Sequence, residues 1–263
     1  MLVGSDWRRH LPYRRQTSRA DGAAITYLTY VAAITNSPRR APAADAREAA
    51  AYPVAEAARY LRLPPATLRT WISDSASAGG SSGRAVIRAA GSAPAMLSFW
   101  NLVEAHVLRA LRTDYGVSLP DARQAIRYAE GELGISRLLL SPDLKTNAGR
   151  LFLDRYGQLT DLSASGQMAM RTLLEQHLKR VEWDEWQFPV RLFPFVHSDL
   201  VDARSVVIDA GIAFGRPTVS NVRVSTSVIA ARLDAGESVA DVASDYSLTA
   251  SDVEAAILYE RAA

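Results

Sequence analysis

The stretch YPVAEAARYLRLPPATLRTWI, Tyr52 to Ile72, contains two helix starts separated by a tight turn. Pro53 suits a first helical turn, where its missing N–H costs nothing. Val54, Ala57, Ala58 and Leu61 follow at i, i+3, i+4 and i+7, which is one apolar face. Arg62 and Leu63 lead to a second start at Pro64-Pro65. Leu63 before that helix and Leu68 within it have the spacing of a hydrophobic staple, and Leu68, Trp71 and Ile72 continue the buried side. Two short helices joined this tightly must cross steeply, so the stretch predicts a helix-turn-helix. With Leu68 and Trp71 turned to the core, Ala66, Thr67, Arg69 and Thr70 lie on or beside the outer face. Arginine there can grip guanine or phosphate, and threonine can touch phosphate or a thymine methyl.

Working outward, Ser73–Gly83 is a Ser/Gly/Ala run. Arg84–Arg88 is short and β-prone, and Ala95–Leu97 is positioned to pair with it as a small wing. Arg84 and Arg88 would then reach the DNA backbone or minor groove. A long helix capped near Ser98 follows, with Trp100, Val103, Val107, Ala110 and Leu111 as its apolar stripe, ending near Tyr115-Gly116. Residues 49–113 are thus expected to form a winged helix-turn-helix domain. Ahead of it, 35–48 is a Pro/Ala/Arg-rich linker, and 1–48 as a whole is expected to be a flexible basic extension. Arg8-Arg9 and Arg14-Arg15 precede an apolar stretch, Ala23 to Ile34, that faintly imitates a leader. It is too short to span a bilayer, and no other segment is apolar enough.

The middle, 114–200, is expected to be mixed α/β. Ser118, Pro120 and Asp121 begin a helix with Ala122, Ala125, Ile126, Ala129 and Leu133 inward, stopped by Gly134. Arg150–Leu153, a turn at Tyr156-Gly157 and Gln158–Leu162 suggest a hairpin. A helix is expected from about Gln167 to Glu182, with Met170, Leu173, Leu174, Leu178 and Val181 on one side. Trp183–Val196 is expected to be extended, because Pro189 and Pro194 forbid a long helix.

Residues 201–263 are the best specified. Val206–Ile208 is a strand, Gly215–Thr218 a turn, and Thr226–Ala235 a helix stopped by Gly236. Ser238 caps a second helix with Asp241 three residues on, and Thr249 caps a third with Asp252 three residues on. Leu248 and Val253 stand at staple positions. Caps, staple and periodicity agree on a three-helix unit containing a second helix-turn-helix. The fold class is therefore mainly α with small β elements.

Two resemblances follow from these residues. Tyr52–Ile72 resembles the winged helix-turn-helix of MerR-type regulators and phage excisionases, departing at Pro64, where that pattern has a Ser or Thr cap. It implies Thr67, Arg69 and Thr70 as recognition residues. The stretch VVIDAGIAFGRPTVSNVRVSTSVIAARLDAGESVADVASDYSLTASDVEAAILYE, Val206 to Glu260, resembles VapB-type antitoxins, a family long labelled a domain of unknown function. It keeps Asp209, Gly215, Arg216, Pro217, Arg223, Thr226, Ala235–Ser238, Asp245-Tyr246 and Asp252-Val253. It departs at Asn221-Val222, where Gly-Thr is usual, and at Ser225, where Pro is common. Together the two segments resemble the larger actinobacterial VapB-type antitoxins. That implies neutralisation of a PIN-like ribonuclease toxin and binding of the chain's own promoter DNA, with a homodimer matching palindromic half-sites. Under it, Arg216, Arg223, Asp241 and Asp245 are the candidate partner-binding residues, although Asp241 and Asp252 also serve as helix caps. A MerR-like regulator with a ligand-sensing middle domain is the alternative.

Charge runs in the same direction. The net charge of the 263 residues is +2, but basic residues outnumber acidic ones 8 to 4 over 1–48 and 7 to 3 over 49–113. Acidic residues lead 12 to 10 over 114–200 and 9 to 5 over 201–263. A basic front suits a phosphate polymer, and an acidic back suits a protein partner with basic surface. There is no cysteine, so disulfides and thiolate metal sites are excluded and a cytoplasmic setting is the simplest. His10, His106, His177 and His197 are scattered, which argues against a metal site or a nucleophile–base pair. Gly79–Gly83 lacks the Lys and the strand–helix context of a phosphate loop. Glu182, Asp184 and Glu185 read as a solvated helix end. The expectation is a non-enzymatic protein with no cofactor, no metal and no membrane partner.

Overall fold

The paired prolines and apolar spacing of residues 52–72 act as read in the computed structural model, which describes residues 45–261 apart from 75–83, 115, 142–143, 145–146, 161–162, 196–203 and 221. Strand β1 (Tyr52–Pro53) runs into helix α1 (Val54–Tyr60). Helix α2 (Pro65–Ile72) starts at Pro64, which supplies no side-chain cap, with Pro65 at its first position. Between them the Leu63 N–H donates to Ala58 O at 2.8 Å. Val54, Ala57, Ala58, Leu61, Leu63, Leu68 and Trp71 are all buried.

Strands β2 (Gly91–Ser92) and β3 (Ala95–Leu97) pair antiparallel, and β1 adds to the other side of β3. The expected wing strand at Arg84–Arg88 does not form. That segment is a strap: the Val86 and Ile87 N–H groups both donate to Trp71 O, at 2.9 and 3.0 Å. The Ala85 N–H donates to Asp74. With its donors taken by the end of α2 and Ile87 buried, it cannot join the sheet. The Ser/Gly run ahead of it falls almost wholly outside the described residues.

Helix α3 (Phe99–Arg109) opens with a reciprocal cap between Ser98 and Asn101 and is buried on every side from Phe99 to Leu108. It continues as a wider turn, Ala110–Asp114, and forms the centre of the larger of two hydrophobic clusters. Helix α4 (Leu119–Leu133) has the predicted Ser118 cap, a left-handed Gly134 at its end, and Ala122, Ala125, Ile126 and Ala129 inward.

The expected hairpin over 150–162 is instead one helix, α5 (Asn147–Thr160). Phe152, Leu153 and Tyr156 are buried at helical spacing. Gly157 is not a turn residue: a Cβ there would lie 2.3 Å from the Gln167 side-chain nitrogen, so this glycine allows close approach of helix α6 (Ala164–Leu178). The α6 helix stops earlier than expected. Val181 belongs to strand β4 (Val181–Trp183), which pairs with β5 (Pro189–Leu192).

Strand β6 (Val206–Asp209) pairs with β5, and β7 (Thr218–Val219) with β6, giving a four-stranded antiparallel sheet in the order β4-β5-β6-β7. One sheet therefore runs from the middle of the chain into its last sixty residues. Helices α7 (Thr226–Asp234), α8 (Val239–Tyr246) and α9 (Ala250–Arg261) follow. They surround a second cluster built on Val219, Ile229, Val242, Val253 and Ala256. The described chain is mainly helical with small antiparallel sheets. The two ends meet: the Tyr259 hydroxyl donates to Tyr60 O at 3.0 Å, Arg59 pairs with Glu260 at 2.6 Å, and the Tyr52 hydroxyl donates to Gly215 O at 3.0 Å. Among the described residues no helix is long and apolar enough to cross a membrane.

Candidate functional site

Helix α2 turns Leu68 and Trp71 inward, so Arg69 and Thr70 are exposed and Thr67 is half-buried. The Thr70 hydroxyl donates back to Thr67 O at 2.7 Å, which leaves its methyl outward. Arg84 and Arg88 are exposed on the strap beside the end of α2. The strap is fixed from both ends. Beyond its bonds to Trp71 and Asp74, the buried Asn101 side chain donates to Arg88 O at 2.9 Å and accepts from the Ala90 N–H at 3.1 Å. The five predicted residues thus sit on two adjoining segments, α2 and the strap it anchors.

Behind the strap, α4 and residues 135–137 close a groove of about 560 Å³. Arg84, Arg88, Arg123 and Arg127 line it over a floor of Val86, Ile126 and Ile135. Arg127 donates to Arg84 O at 3.2 Å. Burial, then the neighbouring Arg127 cation, hold the Arg123 guanidinium below its ordinary pKa. At the other end Arg137 grips Glu104 with two bonds, 2.9 and 3.0 Å, and reaches Glu48 at 3.1 Å. Glu130 accepts the Leu138 N–H at 2.8 Å, and burial pushes its carboxyl above the usual range. Sequence reasoning missed Arg123 and Arg127, although their i, i+4 spacing opposite the apolar face of α4 was a readable signal.

In the last sixty residues the acids are occupied. The Asp241 N–H donates to Ser238 Oγ at 3.1 Å while the Ser238 hydroxyl donates to Asp241 at 2.6 Å. Thr249 and Asp252 repeat the arrangement. Arg232 pairs with both Glu237 and Asp245, and the hydrogen bond from Arg232 holds Glu237 below the usual carboxylate range.

The turn before β7 is different. Ala213, Phe214 and Gly215 take φ of 48°, 57° and 75° in succession. For Ala and Phe a left-handed backbone costs about 1–2 kcal/mol each. Glycine is required at the third position, where a Cβ would lie 1.9 Å from the Tyr52 hydroxyl oxygen. The result is a Phe214 side chain 92% exposed, the most exposed large apolar group among the described residues. Arg216 and Arg223 are exposed near this turn, and neither pairs with a carboxylate among the described residues.

Two histidines lie outside both surfaces. His106 and His177 are buried, 5.3 Å apart, with Phe195 against both. Burial, then the His177 ring, push His106 down to about 3, so it is neutral at ordinary pH. The carboxylates at 182–185 mark a hairpin turn rather than a helix end. Asp184 accepts the Trp186 and Phe188 N–H groups and pairs with Arg47 at 2.7 Å, and Glu182 pairs with Arg191 and Arg204. Among the described residues no three His, Asp or Glu side chains are grouped to hold a metal.

Comparison with known proteins bears on the region of the strained turn. Residues 206–259 match the model of a protein family of unknown function, DUF433. Over 220 residues the chain is 29% identical to the Mycobacterium tuberculosis protein named "Putative antitoxin VapB45", covering 75% of this chain and 88% of that one. This chain is similar to a VapB-type antitoxin and carries a DUF433 domain. The crystal structure of Rv2018 from Mycobacterium tuberculosis shares the fold, with a TM-score of 0.62 and 24% identity over 79% of this chain and 97% of that one. Strand β6, the Phe214 turn, β7 and nearly all of α7–α9 make up the DUF433 domain, and all four predicted partner-binding residues fall inside it.

Proposed function

We propose that this chain is the antitoxin of a type II toxin–antitoxin pair, acting in the cytoplasm on a PIN-like ribonuclease and binding its own promoter as a homodimer. The observation that carries the reading is a likeness to a VapB-type antitoxin that runs through most of both chains, not the DUF433 domain alone. In this reading α1, α2 and the β1-β3-β2 sheet form a winged helix-turn-helix. Thr67, Arg69 and Thr70 enter a major groove, and Arg84 and Arg88 hold phosphate beside it. The DUF433 domain holds the nuclease. Its anchor is Phe214, the kind of projecting aromatic on which interfaces concentrate their energy, flanked by Arg216 and Arg223 for carboxylates of the nuclease. Asp241 and Asp245 contribute at the rim, because their oxygens are already engaged within the domain.

Co-expression of the tagged full chain with the product of the neighbouring gene tests this directly. A stoichiometric complex without nuclease activity is expected, and that complex should retard a promoter duplex. Recovery of the chain alone, with the nuclease still active beside it, would overturn the proposal.

A further inference from the structure

The groove between the strap and α4 is larger than promoter contact needs. Arg84, Arg88 and Arg127 converge on one cavity, and cations at this density repel one another unless an anion lies among them. The nearby carboxylates are committed: Glu104 and Glu48 to Arg137, and Glu130 to the Leu138 N–H. The floor of Val86, Ile126 and Ile135 is apolar, and the volume of about 560 Å³ is that of a small-molecule site.

We propose that this groove binds a phosphate group, with Arg84, Arg88 and Arg127 as its donors and the apolar floor receiving the organic part of a nucleotide-sized molecule. Guanidinium presents paired N–H donors that match phosphate oxygens. The strap is held rigid by Trp71, Asp74 and Asn101, so its share of the donors is pre-placed. A phosphodiester of bound duplex is the second source of the same chemistry. A small phosphate in the groove would compete with duplex for Arg84 and Arg88, and so couple ligand concentration to promoter occupancy. The groove's chemistry does not depend on the antitoxin reading, since it needs neither the nuclease nor its gene.

The test is thermal denaturation of the full chain with inorganic phosphate and with adenosine monophosphate, at ionic strength matched by sodium chloride, alongside titration with a short promoter duplex. Adenosine monophosphate should raise the midpoint more than inorganic phosphate does. The variant Arg84→Gln/Arg127→Gln should keep its midpoint without probe but bind adenosine monophosphate at least tenfold more weakly. If neither small probe acts while Arg127→Gln lowers the salt slope of duplex binding by about 1, the phosphate comes from DNA and the groove's chemistry stands. The proposal is overturned if adenosine monophosphate binds wild type and the double variant equally. It is also overturned if neither probe acts and Arg127→Gln leaves duplex binding unchanged.

Discussion

The strap beside α2 and the helices that close the chain are both rich in charge, yet the two regions use it in opposite ways. On the strap Arg84 and Arg88 project outward while their backbone is tied down by Trp71 and Asn101. In α7–α9 the acids turn back on the domain as caps for Ser238 and Thr249, or as partners for Arg232. A count of charges along the sequence treats these as equal and opposite surfaces, and they are not. The front presents its excess charge to solvent. The back spends much of its acid internally and presents a strained aromatic turn instead.

The largest effect that would sharpen this contrast concerns the front. Replacing Arg69, Arg84 and Arg88 together by alanine should lower the log–log salt slope of promoter binding by about 3, one unit for each lost phosphate contact. Nuclease binding should be unchanged. Fluorescence anisotropy over a salt series reads both. An unchanged slope would make these arginines bystanders.

At the back, Phe214→Gly removes the aromatic and relieves a left-handed residue. It should weaken nuclease binding at least tenfold while raising the thermal midpoint by about 2–4 °C, the shift expected from roughly 1 kcal/mol in a chain of this size. A side chain that only supports the fold would lose stability, not gain it.

Between the two regions lies the His106–His177 pair. His106 is pushed down to about 3, below its ordinary value of 6.5, so the folded state holds the ring neutral and the unfolded state takes the proton first. Its stabilisation is complete above about pH 6.5 and is lost as pH falls toward 3. Urea midpoints measured from pH 7 to 4 should fall in wild type and fall less in His106→Phe. Parallel curves would remove His106 from the acid response.

The smallest effect is expected at Asp241→Asn, where asparagine still accepts from the Ser238 hydroxyl. The cost should be a few tenths of a kcal/mol, with nuclease binding retained. A loss of binding as large as that of Phe214→Gly would return the acids to the centre of the interface.

Much of this was legible from residues. Helices α1, α2, α3, α4 and α7–α9 were readable because caps and apolar spacing agreed at Ser98, Ser118, Ser238 and Thr249. What escaped was set by tertiary contact. Tyr156-Gly157 reads as a turn until Gln167 is found filling the space beside the glycine. Arg84–Arg88 has the β-branched content of a strand, but Trp71 O takes the N–H groups a ladder would need. The junction of β5 with β6 joins segments on either side of residue 200, which no local pattern announces. At the sites, Thr67, Arg69 and Thr70 followed directly from helical periodicity. The exposure of Phe214 depends on three successive left-handed residues locked by Tyr52, far away in the chain.

The central claim is that one chain carries two separable surfaces, a cationic one at the front for phosphate and an aromatic one in the DUF433 domain for protein. It is tested most directly by measuring promoter affinity and nuclease capture side by side for the triple arginine variant and for Phe214→Gly. The account predicts a crossed result: the arginine variant loses DNA and keeps the nuclease, and Phe214→Gly keeps DNA and loses the nuclease. If either variant lost both activities while remaining folded, or neither lost any, the two-surface account would be contradicted.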